Sequence, residues 1–123
     1  VLPPAPGSPT IGIGRSSPIN NWTDAVGHGA VIALNPHTSE PVWKFEQFDV
    51  SDSGMLTTAS DLLFTGGREG YFHALDARTG EELWKASLGA QIVMAPVTYM
   101  VDGVQYLSVI SGHALSTFAL RDR

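Results

Sequence analysis

The stretch that decides the fold is residues 70–85, which read GYFHALDARTGEELWK. An alternating apolar run, a turn rich in Asp, Thr and Gly, and a closing tryptophan predict two β-strands joined by a tight turn. The chain carries the same arrangement once before, at an offset of 41 residues that brings Gly29 onto Gly70 without a gap. The other identical pairs at this offset are Ala33/Ala74, Leu34/Leu75, Thr38/Thr79, Glu40/Glu81, Trp43/Trp84 and Lys44/Lys85.

The length of this repeat indicates an architecture. A self-match at about 40 to 45 residues is what the four-stranded blade of a β-propeller requires. Within the second copy, the side-chain alternation of a strand places Tyr71, His73 and Leu75 on one face and Phe72 and Ala74 on the other. Neither face is wholly polar. The sheet must therefore be covered on both faces, as a blade is by its neighbours.

The turn between the two strands is specified by its residue types. Asp76 and Thr79 can hydrogen-bond the local backbone, and Gly80 can adopt the positive φ that reverses the chain. The first copy has Ser39 where the second has this glycine. Trp84 supplies a large flat apolar surface and one N–H group, which suits wedging one blade against the next.

Composition sets limits on the class of protein. The chain has 123 residues, of which 43% are hydrophobic and 15% charged, as in a globular domain. Its net charge of −5 argues against a nucleic-acid partner, and the absence of cysteine excludes a disulfide scaffold and a cysteine-based zinc site. No apolar run is long enough to span a bilayer as a helix.

The predicted fold class is all-β, with antiparallel four-stranded blades of a β-propeller and about two to three blades present. Residues 1–28 are expected to form an irregular arm rich in proline and glycine, residues 29–120 the blade segment with repeats at 29–45 and 70–86, and residues 121–123 a tail. The predicted strands are 29–35, 41–47, 54–59, 62–66, 70–76, 82–87, 95–101, 104–111 and 115–120. Since a propeller needs at least four blades to close, we expect a part of a larger propeller or a self-associating piece.

Candidate site residues come from the loops at the blade edges, where propellers hold their ligands. Asp52 and Ser53 lie in one such loop, and an Asx or Ser turn leading into the next strand is the simpler explanation of these two residues. Gly112 and His113 follow a strand expected near the propeller axis, with a polar turn as the alternative. The four histidines of the chain do not have the spacing of a zinc site.

An ordered series of motifs resembles the C-terminal part of pyrroloquinoline quinone (PQQ) dependent alcohol dehydrogenases. The series consists of residues 54–80, then Leu83-Trp84-Lys85, then 96–99 and 102–106. The resemblance implies an eight-bladed, usually periplasmic propeller that holds PQQ and calcium near its axis. It also implies that the catalytic aspartate and the main calcium ligands lie in earlier blades, which leaves this chain no catalytic or metal-binding residue.

The resemblance assigns cofactor contacts to two loops of this chain. These are the loop carrying Asp52 and Ser53, where the family often has a tryptophan, and the loop carrying Gly112 and His113, where it often has Gly-Gly-Trp. The implied function is the C-terminal part of a dehydrogenase that oxidises an alcohol or a sugar and passes electrons to an acceptor such as a cytochrome c. This segment alone is expected to be inactive.

Two other functions remain open from the sequence. One is a non-enzymatic propeller that serves as a scaffold for protein–protein interaction. The other is a small β protein that folds independently and associates through its exposed blade faces.

Overall fold

The computed structural model describes residues 28–49 and 51–121, and all regular structure within them is β-strand. The predicted arm, apart from His28, and residues 122–123 of the predicted tail lie outside this part. No helix of the described part could cross a membrane. The strands are β1 (Gly29–Leu34), β2 (Pro41–Gln47), β3 (Leu56–Thr57), β4 (Leu62–Gly66), β5 (Tyr71–Asp76), β6 (Glu82–Ser87), β7 (Val97–Val101), β8 (Val104–Ser111) and β9 (Ala114–Leu120).

Neighbouring strands pair antiparallel in three sheets, which confirms the predicted partial propeller. The first sheet holds β1 and β2, the second β3 to β6, and the third β7 to β9. Two strands are shorter than predicted by two residues or more: β3 was expected at 54–59 and β7 at 95–101. The physical reason is a contact between their loops: a Cβ atom on Gly54 would lie 2.5 Å from Cβ of Ala95, so these segments pack on each other instead of extending a ladder.

The two copies of the repeat fold alike down to single hydrogen bonds. The side chains of Asn35 and Asp76 each accept the N–H of the residue two positions later, at 2.9 Å and 2.8 Å. Ser39 and Gly80 occupy the same turn position with φ of 59° and 75°. Both strand pairs also have a register shift at the same repeat position. The serine of the first copy is thus held in a conformation that glycine adopts more easily.

The tryptophans of the repeat join one sheet to the next. The indole Nε1 of Trp43 donates to the backbone oxygen of Ala77 at 3.1 Å, and its ring lies directly over Gly80. Trp84, one repeat later, contacts Phe118 of the third sheet edge-on, with ring centroids 5.2 Å apart. Each tryptophan therefore packs on the sheet that follows it, as the sequence predicted.

Two apolar cores cover the two faces of the second sheet. Toward the first sheet, Leu63 and Leu75 pack with Val31, and Trp43 and Phe45 lie at the margin. Toward the third sheet, the core contains Phe64, Phe72, Ala74, Ile92, Leu107 and Val109. The side-chain alternation predicted for β5 is confirmed, since Leu75 and Phe72 enter opposite cores.

We predict that Gly80→Ala destabilises the fold by about 2–4 kcal/mol, because the positive φ and overpacking both contribute. The new Cβ atom would lie 2.5 Å from Cε3 of Trp43 and displace the indole. Gly89→Ala is the matched control, since Gly89 has φ of 76° but no atom within 4 Å of the added methyl group. It should cost about 1 kcal/mol. Urea unfolding of the three proteins measures both values, and equal losses would contradict the role of the Trp43 contact.

Candidate functional site

Four connections lie together at one end of the sheets. Because successive strands are antiparallel, the chain leaves β2, β4, β6 and β8 and enters β3, β5, β7 and β9 at the same end. We call this end the loop rim and define it by residues 51–55, 67–70, 88–96 and 112–113. All four sequence-predicted site residues belong to the loop rim.

The segment 88–96 is the centre of the loop rim. The N–H of Ile92 donates to Gly67 O at 3.0 Å, and the N–H of Gly112 donates to Gln91 O at 2.8 Å. The Ile92 side chain is fully buried, and a Cβ atom on Gly66 would lie 2.5 Å from it. The segment is thus bonded to a hairpin of the second sheet and a hairpin of the third. Sequence reasoning missed Ile92, whose signal was an apolar run, residues 92–95, within a loop.

Asp52 is tied to the neighbouring hairpin by an ion pair. Its Oδ2 atom accepts a hydrogen bond from Nη2 of Arg68 at 2.9 Å. This hydrogen bond raises the pKa of the Arg68 guanidinium above its ordinary value, with a smaller contribution from the charge of Asp49. The pair connects residues 51–55 to residues 67–70. Because half of the Asp52 side chain is solvent-exposed, we expect the pair to weaken with salt.

Ser53 and Ser51 attach the same loop to its surroundings. The hydroxyl of Ser53 lies 3.1 Å from Gly54 O and 3.3 Å from Met94 O, so it reaches the central segment 88–96. The hydroxyl of Ser51 donates to Gly66 O at 2.9 Å. These contacts fix the path of the loop between the first and second sheets.

Gly112 and His113 form the tip of the hairpin in the third sheet. Gly112 has φ of 58°, and a Cβ atom there would lie 2.9 Å from Cβ of Ala90. His113 is solvent-exposed. Ser53 therefore meets the central segment at Met94, whereas Gly112 meets it at Ala90 and Gln91. The two predicted pairs of site residues, Asp52/Ser53 and Gly112/His113, therefore lie on one rim, and their loops contact the segment 88–96 at different points.

The chemistry of the rim suits peripheral contacts to a flat polar cofactor. PQQ is a planar quinone that carries carboxylates, so it is recognised by hydrogen-bond donors and cations. Ser53 and His113 can donate hydrogen bonds, and Arg68 carries a positive charge that Asp52 already compensates. The rim residues fit an edge of such a site better than its centre.

Two open depressions, neither of them an enclosed cavity, lie on the described part of the chain. One, of about 400 Å³, borders the rim end of the first sheet beside His28, Gly29 and Gln47, and the other, of about 380 Å³, lies at the opposite end of the third sheet beside Tyr106 and Arg121. The described residues contain no cluster of three or more His, Asp or Glu side chains able to hold a metal ion.

Comparison with known proteins identifies the family. Residues 48–107 match the family model described as the PQQ glucose/ethanol/alcohol dehydrogenase β-propeller domain. A quinoprotein ethanol dehydrogenase of Pseudomonas aeruginosa is 42% identical over 85 residues, which are 69% of this chain and 14% of that protein. A 1-butanol dehydrogenase (cytochrome c) of Thauera butanivorans is 42% identical over 84 residues, 68% of this chain and 12% of that protein.

Solved structures agree on the fold. The quinohemoprotein alcohol dehydrogenase of Comamonas testosteroni aligns with a TM-score of 0.66 and 41% identity, over 69% of this chain and 13% of that one. BamB of Moraxella catarrhalis aligns with a TM-score of 0.59 and 27% identity, over 73% of this chain and 27% of that one. The chain spans about one seventh of the length of the curated relatives it matches. By its repeat, its blades and its sequence, this chain belongs to the β-propeller family of PQQ-dependent alcohol dehydrogenases.

Proposed function

We propose that the full-length protein oxidises an alcohol or a sugar with PQQ, and that this chain supplies blades beside the cofactor. The observation that carries the proposal is the position of the family match. Residues 48–107 include three of the four segments of the loop rim, so the similarity extends through the loops as well as the strands. Scaffold similarity alone would be expected mainly in the strands and tryptophans that hold blades together.

The proposed role of the rim is to hold the edge of the cofactor. Ser53 and His113 would hydrogen-bond polar groups of PQQ, Gly112 would let the backbone approach it, and Asp52 would keep Arg68 oriented beside it. Bound PQQ and calcium would supply the hydride-accepting quinone and a Lewis acid for the oxidation of the alcohol. The catalytic aspartate and the calcium ligands are proposed to lie in other blades, so this chain alone is inactive.

The exposed faces of the outer sheets suit contacts with further blades. Ile32 and Val42 in the first sheet, and Val97, Tyr99 and Val101 in the third, are large apolar residues open to solvent. The rest of the propeller would bury them, and self-association would be the substitute in an isolated chain. A periplasmic location and a cytochrome c acceptor are proposed from the family and from the relative named for that acceptor.

A protein-binding scaffold is the second candidate function. The structural similarity to BamB, a protein not named as a dehydrogenase, favours it. In that case the rim loops would bind no PQQ, and the sheets would retain only the packing role of the repeat.

Dye-linked alcohol oxidation by the full-length protein tests the proposal. We predict activity when PQQ and calcium are both supplied, and loss of activity after calcium is removed with a chelator. The electron-accepting dye reports turnover directly, and a preparation without PQQ is the control. A folded full-length protein that neither binds PQQ nor oxidises any alcohol or sugar would support the scaffold instead.

Replacement of the rim side chains tests the site separately. We predict that Ser53→Ala and His113→Ala each weaken PQQ binding by about 3- to 10-fold, the loss of one hydrogen bond. His37→Ala is the matched control, because His37 is also exposed in a turn but lies at the opposite end of the sheets. Binding is followed by titration of cofactor absorbance. If both rim variants keep the PQQ affinity and the activity of the unmodified protein, Ser53 and His113 are not part of the cofactor site, and the proposed dehydrogenase function still stands.

A further inference from the structure

We infer that the interface between the first and second sheets binds one structural water molecule in a polar pocket formed by Gln47, Thr65 and His73. This water site lies beneath the loop rim and does not depend on the proposed function. Its ligand class is a neutral molecule with two donors and two acceptors, held by side chains from β2, β4 and β5.

Three buried polar atoms mark the site. Gln47 Oε1, Thr65 Oγ1 and His73 Nε2 have no hydrogen-bond partner within the described part of the chain. The three residues are 4%, 1% and 5% exposed. A buried polar group without a partner costs about 1–3 kcal/mol, so three in one protein interface require an explanation.

The three side chains converge in the same layer. Thr65 and His73 are direct partners in the β4–β5 ladder, so their side chains stand next to each other on one face of the second sheet. Phe45 of β2 packs edge-on against His73 with ring centroids 5.2 Å apart. Gln47, two residues further along β2, reaches the second sheet through a 3.2 Å hydrogen bond from Nε2 to Gly66 O.

The hydrogen-bonding capacity of a single water matches these atoms. His73 Nδ1 lies 2.6 Å from Glu82 Oε2, so this nitrogen is engaged and Nε2 remains for the water; in the tautomer that carries its proton on Nδ1, Nε2 is an acceptor. Water can donate one hydrogen to His73 Nε2 and the other to Gln47 Oε1, and it can accept from the Thr65 hydroxyl. Buried waters typically make about three such bonds to groups that otherwise lack partners.

The ligand set of the pocket favours water over a metal ion, because the described residues hold no cluster of metal-ligating side chains there. Glu69 Oε1 lies 3.8 Å from His73 Nε2, which is longer than a hydrogen bond. Glu82 is engaged at the other ring nitrogen. The remaining polar atoms are a neutral amide and a hydroxyl.

The water site would support the loop rim from below. Gln47 and Ser51 both donate to Gly66 O, at 3.2 Å and 2.9 Å, where β4 ends and the rim begins. A water bound to Gln47 Oε1 orients the amide so that Nε2 faces this carbonyl. The pocket therefore couples the buried interface to the path of residues 51–55.

The Thr65→Val variant of the full chain tests the inference. The variant should lower Tm if the water is bound, and leave Tm unchanged or raise it if the water is absent. If a water bonds the hydroxyl, the variant leaves that water short of a partner, and we expect Tm to fall by several degrees. Two variants serve as controls. Thr98→Val removes a hydroxyl that donates to Tyr106 O at 2.9 Å and should lower Tm. Thr57→Val changes an exposed strand position and should not lower Tm. An unchanged or raised Tm in Thr65→Val would overturn the inference, because isosteric removal of an unpartnered hydroxyl is neutral or stabilising.

A crystal structure of the unmodified full chain supplies the second measurement. One solvent peak within hydrogen-bonding distance of Gln47 Oε1, Thr65 Oγ1 and His73 Nε2 is the expected result. Direct hydrogen bonds among the three side chains, or an anomalous signal from a metal ion, would each overturn it.

Discussion

The contact of Trp43 with the turn at Gly80 is the constraint on which the joining of the sheets depends. The indole ring lies where a side chain at position 80 would be, and its N–H donates to Ala77 O in the same turn. A turn that must reverse the chain and also accept a flat ring needs a residue without a Cβ atom. Gly80 thus closes one hairpin and also makes room for the tryptophan of the preceding sheet.

The loop rim follows from how the sheets meet. Once the second and third sheets pack through Phe72, Leu107 and Val109, the connection between them must cross their shared end. Ile92 anchors that connection by entering the core, and its backbone bonds the hairpin at Gly67. The loops that carry Ser53 and Gly112 are then positioned by this segment. Precise placement of rim residues therefore depends on a buried side chain that takes no direct part in the proposed chemistry.

In the proposed function, the rim serves as the edge of a cofactor site. The hydrogen-bond donors Ser53 and His113 and the Asp52–Arg68 ion pair would contact one edge of the cofactor, whereas a buried quinone needs protein groups on several sides. Family membership rests on the repeat, the blades and a match that runs through the loops. The polar layer of Gln47, Thr65 and His73 is a separate property of the interface and lies between the sheets rather than on the rim.

The sequence by itself determined the strands, the hairpin turns and the faces of β5, because these follow from local residue types and from a period of two along a strand. It also placed Asp52, Ser53, Gly112 and His113 in loops at the ends of blades. Only the tertiary structure decided that Arg68 binds Asp52, that Ile92 enters the core, and that β3 is cut short by the contact of Gly54 with Ala95. These features join residues far apart in the chain, and their geometry is set by how the sheets pack, which no local pattern encodes.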